Sequence, residues 1–204
     1  RRAERSPDLS AMPALFLIKH AMPEIDPSVP AKRWSLGAEG QRQARELAGV
    51  FSPQPEVVVS STEPKAVQTG QLIAKRTQAA LFEPDPRLCE HDRSEVDFLD
   101  REAFQNAIAQ FFRTPHRLVF GCETADQARA RFDRAVEHHC AQHAGAHLAI
   151  VCHGTVLSLW VSRRLGYDAF ALWKALQLPA WISTQHPESN SITVFPEMTA
   201  AGDP

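Results

Sequence analysis

Two histidines and two lysines define the chemistry open to this chain. His20 follows the apolar run Ala14-Leu-Phe-Leu-Ile18, and His153 follows Leu148-Ala-Ile-Val-Cys152. Each stands at the C-terminal end of a short segment of buried-strand character, and open α/β sheets bind ligands in the crevice beyond such ends. If the two strands are neighbours, the imidazoles share one pocket. Lys19 precedes the first histidine, and Lys65 follows a third run, Glu56-Val-Val-Val-Ser60. Such a pocket suits an anionic substrate, most simply a phosphate. A histidine there attacks phosphorus when its other ring nitrogen is held by a backbone carbonyl, which fixes the tautomer. Lys19, Lys65 and a protonated His153 would neutralise the phosphoryl oxygens through charge-assisted hydrogen bonds. N–H groups opening a helix after His153 would add to them. A departing alkoxide needs a proton donor. Leu88-Cys-Glu-His-Asp-Arg93 offers Glu90 for that role, with Asp92, Glu95 and the more distant Glu24 as alternatives. His91 and Arg93 of the same cluster are candidates to touch the non-reacting part of a substrate.

The elements that must position these groups alternate. Strand-like runs lie at Ala14–Ile18, Val57–Ser60 and Leu148–Cys152, with a weaker one at Ser191–Phe195. Between them, Ala38–Val50 carries an apolar stripe of Ala44, Leu47, Ala48 and Phe51 at helical spacing. Pro64 opens a helix to about Thr77, Thr124–His143 reads as a long amphipathic helix, and Thr155–Leu165 as a buried one. This alternation predicts an α/β fold: a three-layer αβα sandwich with a mainly parallel sheet. The stretch from about 81 to 121 breaks the rhythm and reads as a helical insertion over the C-terminal strand edge, helical at about Asp100–Phe112. One domain over 12–198 is expected, after a disordered polar extension (1–11) and before a short tail (199–204), with Met12 a candidate natural start. Trp173, Leu176, Leu178 and Trp181 form a late apolar group that suits core or interface alike.

A net charge of -2 gives no electrostatic reason to expect nucleic acid or an anionic membrane as partner. No apolar run reaches the roughly 20 residues of a membrane helix, and the N-terminal residues lack the apolar region of a secretory signal. Cys89, Cys122, Cys140 and Cys152 have no C-x-x-C spacing, so a reduced, cytoplasmic setting is expected. His138, His139, Cys140, His143 and His147 are five potential zinc ligands in ten residues. Gly145 interrupts the helix and no carboxylate follows, so the cluster reads as a solvated helix end and not as a metal site.

Several segments carry a family resemblance. Lys19-His20-Ala21 resembles the Arg-His-Gly signature of the histidine phosphatase (phosphoglycerate mutase-like) superfamily. Leu36-Gly-Ala-Glu-Gly-Gln-Arg-Gln-Ala44 is similar to its helix opening, and Val58-Val-Ser-Ser-Thr-Glu-Pro-Lys-Ala-Val-Gln-Thr69 to its second-arginine segment. Leu88-Cys-Glu90, Gly121-Cys-Glu-Thr124 with Arg131, Val151-Cys-His-Gly154 and Asn190-Ser-Ile-Thr193 follow in the family's order. The resemblance implies a phosphomonoester hydrolase of the small phosphatase branch, acting on a small phosphorylated substrate without metal or organic cofactor. Under it His20 becomes phosphohistidine, Lys19, Lys65 and His153 bind the phosphoryl group, and Glu90 is the acid. Both arginine positions hold lysine, which keeps the charge but loses the planar fork. A weakly active or non-catalytic phospho-ligand binder is therefore the alternative. A phosphoglycerate mutase is a third reading, although Ala-Met-Pro-Glu-Ile-Asp after His20 lacks the Ser-x-Trp-Asn run of those enzymes.

Overall fold

A computed structural model describes residues 13–97, 99–185 and 192–195. The expected extension at 1–11, the tail at 199–204 and Ser191 lie outside the described residues. Six strands form one sheet: β1 (Leu15–Lys19), β2 (Val57–Ser60), β3 (Ala80–Leu81), β4 (Leu148–Cys152), β5 (Ala180–Thr184) and β6 (Ile192–Phe195). Their order across the sheet is β3-β2-β4-β1-β5-β6. The first four run parallel, β5 is antiparallel to β1, and β6 is antiparallel to β5.

Alternation along the strands fills both faces. On one side Phe16, Ile18, Val58, Ala149 and Val151 pack with residues of α1 (Ala38–Leu47) and α2 (Pro64–Thr77). On the other, Leu15, Leu17, Val59, Ile150 and Cys152 pack with α3 (Arg101–Arg113), α4 (Ala125–Gln142), α5 (Gly154–Leu165) and α6 (Ala169–Ala175). Strands buried on both faces must be apolar throughout, which is why these runs are continuous. Local chemistry sets the helix ends. Pro64 sits in the first turn of α2, a Thr124–Gln127 capping box opens α4, and Gly166 closes α5 at φ 71°.

Three expectations are adjusted. Ala80–Leu81 pairs with β2, so the sheet continues through Leu81 and the insertion starts beyond it. Trp181 belongs to a strand: Leu178 and Pro179 lead into β5, which pairs with β1. The α1 helix ends at Leu47, although its stripe of Ala44, Leu47, Ala48 and Phe51 is buried as expected.

The first turn of α1 lies hard against the chain that follows His20. A Cβ built on Gly40 would stand 2.0 Å from the Met22 carbonyl oxygen. Because the obstacle is backbone, Gly40→Ala must push α1 away from that loop, an overpacking cost of about 1–3 kcal/mol. Urea unfolding should show this as a lower midpoint at unchanged slope.

Candidate active site

The register of the central strands assembles the site. Lys19 pairs with Cys152 across β1 and β4, so His20 and His153 leave the sheet at the same level. Their ring centroids are 5.1 Å apart. The His20 Nδ1 lies 2.8 Å from the carbonyl oxygen of Ala21. A carbonyl only accepts, so Nδ1 carries the proton and Nε2 keeps its lone pair. Burial, with the nearby His153 and Lys65, pulls the His20 pKa well below its ordinary value. The ring is therefore neutral at physiological pH, the state a nucleophile requires.

His153 is fully buried; its Nε2 lies 2.6 Å from Ser61 Oγ and 3.5 Å from Glu63 Oε1. Its Nδ1 and the Thr155 hydroxyl oxygen, both in buried positions where β4 gives way to α5, have no hydrogen-bond partner among the described residues. Burial holds the His153 pKa down at about 3, opposed by Glu90 and reinforced by Lys65, Arg93 and Arg131. Orphaned polar groups inside a protein are costly, and these two are the ones at the junction of β4 and α5 that remain for a ligand's acceptors.

Both lysines reach the same region. Lys65 is buried at the start of α2 and donates to Glu63 Oε2 at 2.5 Å and to Ala31 O at 2.7 Å. Lys19 is half-buried and donates to Leu176 O, at the end of α6, at 2.7 Å. Its side chain runs past Gly154, where a Cβ would lie only 3.2 Å from Lys19 Cε. Desolvation lowers the Lys19 ammonium to about 8, although Glu90 pulls the other way.

Glu90 comes from the insertion and seats its carboxylate on the first turn of α5. Oε2 accepts from Thr155 N at 3.0 Å, and Oε1 from Val156 N at 3.3 Å and His91 N at 2.9 Å. Burial alone would raise this carboxyl. Arg93, His153 and the Thr155 and His91 N–H groups outweigh it and hold the group at about 2. Arg93 is half-buried with its guanidinium 4.9 Å from the centre of the Phe104 ring. Arg131 buttresses the loop, donating to Arg87 O, Cys89 O and Glu90 O and pairing with Glu123 at 2.6 Å.

Lys19, His20, Lys65, Glu90 and His153 thus share one neighbourhood, with Arg93 beside it. His91, expected to touch the non-reacting part of a substrate, is 2 % exposed and packed against Phe111 and Phe120, with Nε2 on Glu123 O. The alternative acids stand elsewhere, Glu24 and Glu95 exposed and Asp92 exposed and hydrogen-bonded to Ser94. Sequence reasoning missed Ser61 and Glu63. Both lie inside the Ser-Ser-Thr-Glu-Pro-Lys segment, and a charged residue two positions before a buried lysine was the available signal. His139 also departs from the expected solvated helix end, because its Nε2 meets Asp85 Oδ2 at 2.9 Å in a buried pair. Among the described residues no group of three His, Cys, Asp or Glu is placed to hold a metal ion.

Comparison with known proteins gives consistent results. The family model of the histidine phosphatase superfamily (branch 1) matches residues 15–194. No curated protein matches the chain. Among solved structures, a mycobacterial glucosyl-3-phosphoglycerate phosphatase superposes with TM-score 0.68 at 17% identity, covering 90% of this chain and 97% of that one. A mutant phosphoserine phosphatase from Entamoeba histolytica, in complex with phosphoserine, gives 0.65 at 17% identity over 84% of this chain and 90% of that one. A phosphoglycerate mutase from Bacillus anthracis gives 0.65 at 14% identity over 86% and 90%. At these identities the likeness speaks for the fold alone.

The Lys19 ammonium supplies a pH test. An ammonium that titrates at about 8 is charged below that pH and lost above it. Anion binding that uses it should therefore fall more steeply once the pH passes through 8. In Lys19→Arg the guanidinium stays charged, and calorimetric titration with sulfate should show no such steepening.

Proposed function

The chain belongs to the histidine phosphatase superfamily (branch 1), and from that premise we propose that it hydrolyses a phosphomonoester through a phosphohistidine on His20. The observation that carries the proposal is the His20 ring, neutral, locked through Nδ1 onto Ala21 O, and facing the buried His153 at 5.1 Å. The free Nε2 attacks phosphorus as the bond to the leaving oxygen breaks. Lys19, Lys65 and His153 Nδ1 take the phosphoryl oxygens, helped by the N–H groups and the hydroxyl in the first turn of α5.

Glu90 is the proton donor in this reading. Its carboxylate is ionised and holds the Thr155 and Val156 N–H groups. The substrate's phosphoryl group competes for those groups, and the carboxyl, turned toward the leaving oxygen, takes up the proton it will deliver. The protonated acid then gives its proton to the leaving oxygen. In the second half-reaction the carboxylate takes a proton from water, whose oxygen bonds to phosphorus as the P–N bond to His20 breaks. The chemistry calls on no metal or organic cofactor. The substrate is a small phosphorylated compound, the class to which phosphoserine and glucosyl-3-phosphoglycerate belong, met by a single domain over 12–198 in a cytoplasmic setting.

A second reading is favoured by one observation. Lys65 commits two of its three N–H donors to Ala31 O and Glu63, and Lys19 commits one to Leu176 O. Neither offers the paired donors of a guanidinium. Losing one positioned donor costs about 10²–10³ in rate in well-studied sites, so a slow enzyme or a phospho-ligand binder is the alternative.

Phosphate release from a panel of phosphomonoesters, with EDTA throughout, separates these readings. Wild type should turn over at least one substrate, and His20→Ala should lose about 10⁴-fold or more. Acid-labile phosphate should appear on His20 during turnover. A His20→Ala protein with full activity would overturn the mechanism. Turnover appearing only in Lys19→Arg/Lys65→Arg would establish the binding role.

A further inference from the structure

Glu63 is a buried carboxylate that the steps above do not use. It is 8 % exposed and sits between three parts of the site. Oε2 pairs with Lys65 Nζ at 2.5 Å, Oε1 accepts from Glu90 N at 3.0 Å, and Oε1 stands 3.5 Å from His153 Nε2. Ser61 bridges the same pair: its Oγ lies 2.6 Å from His153 Nε2 and accepts from Glu63 N at 3.2 Å. A hydroxyl and a carboxylate therefore both stand beside His153 Nε2, while Nδ1 is left without a partner among the described residues.

The charges facing His153 come from every element around it. Lys19 closes β1, Lys65 opens α2, and Arg93 and Glu90 come from the insertion; Glu63 precedes α2 and Arg131 lies on α4. His20 is neutral, the buried Cys152 thiol is held protonated by burial, and Arg131 is compensated by Glu123. Three positive groups against two carboxylates leave one positive charge. A dianionic phosphoryl group reverses that balance in a buried site, where unbalanced charge is expensive. A proton taken up on binding restores it, and the group to receive it needs an acceptor for its new N–H. His153 has one in Ser61 Oγ, with the Glu63 carboxylate next to it.

We propose that Glu63 is a positioning residue that makes phosphoryl binding proton-coupled: with Ser61 it lets His153 become imidazolium as the anion arrives. Nδ1–H then donates to the phosphoryl group while Nε2–H turns toward Ser61 Oγ and Glu63. Glu63 acts through His153 and touches no substrate. The inference rests on the phosphoryl pocket proposed above, and its test separates the two.

Sulfate is the probe, because it remains a dianion from pH 5.5 to 7.5, below the Lys19 transition. Uptake of one proton makes wild-type affinity fall about tenfold per pH unit across this window. Glu63→Gln keeps one oxygen to accept from Glu90 N but removes the charge and the acceptor facing Lys65, and its affinity should fall less than about threefold per unit. Sulfate brings no leaving oxygen for Glu90 to protonate, so the proton taken up in this complex is read at His153. In wild type, ¹⁵N spectra of labelled histidines should show one ring becoming imidazolium on sulfate addition, the signal absent from His153→Asn. That spectrum decides the matter even if Glu63→Gln fails to fold. An unchanged slope in Glu63→Gln or a neutral His153 ring in the complex would each overturn the inference and leave the phosphoryl pocket standing. No sulfate binding by wild type at any pH would overturn both.

Discussion

The parallel pairing of β1 with β4 is the constraint on which the rest depends. Hydrogen bonding sets Lys19 opposite Cys152, and a slip by one residue would turn each strand's side chains to the opposite face. Because both faces of these strands are buried, alternate residues are committed to separate cores, Leu15 and Leu17 to one and Phe16 and Ile18 to the other. Packing over the sheet therefore fixes where the chain leaves it. The two imidazoles meet because the hydrophobic cores permit one register.

Around that meeting point the protein manages a buried set of charges. The two ammonium groups are each held by a backbone carbonyl, Lys65 by Ala31 and Lys19 by Leu176. Two carboxylates complete the set, one on Lys65 and one on the N-terminus of α5. Helix N-termini attract anions, and here a side chain from the insertion takes that position. The insertion thus belongs to the electrostatics of the pocket as much as to its walls. Arg131 fixes it in place through three backbone carbonyls, so a residue on α4 governs the position of Glu90.

Much of this was legible in the sequence, and the boundary of legibility has physical causes. Continuous apolar runs announced β1, β2 and β4, because a strand covered on both faces has no polar positions to disguise it. The edge strand β3 is two residues long and exposed, and β5 alternates buried and half-buried positions, so neither stood out. Among site residues, His20, His153 and Lys19 were marked by strand ends. Glu90 was visible as an acid, but its seat on α5 depends on a contact spanning 65 positions. The packing of His91 against Phe111 and Phe120 was hidden, because an imidazole among charged neighbours looks solvated in the sequence. The Asp85–His139 pair escaped for the same reason, its partners lying 54 positions apart.

The route of the Lys19 side chain limits how this chain can vary. It threads past Gly154 and ends on the carbonyl of Leu176. A carbonyl is common to every amino acid, so the far end of this tether makes no demand on which side chain stands at 176. The near end is tighter, because a Cβ at 154 would oblige the lysine side chain to give by a few tenths of an ångström. Sequence drift at the three points that one lysine joins is therefore unequal: the anchor tolerates change as far as its own packing allows, and the gap tolerates less. A bulkier cation at position 19 meets the same gate, and its replacement cannot be judged at that position alone.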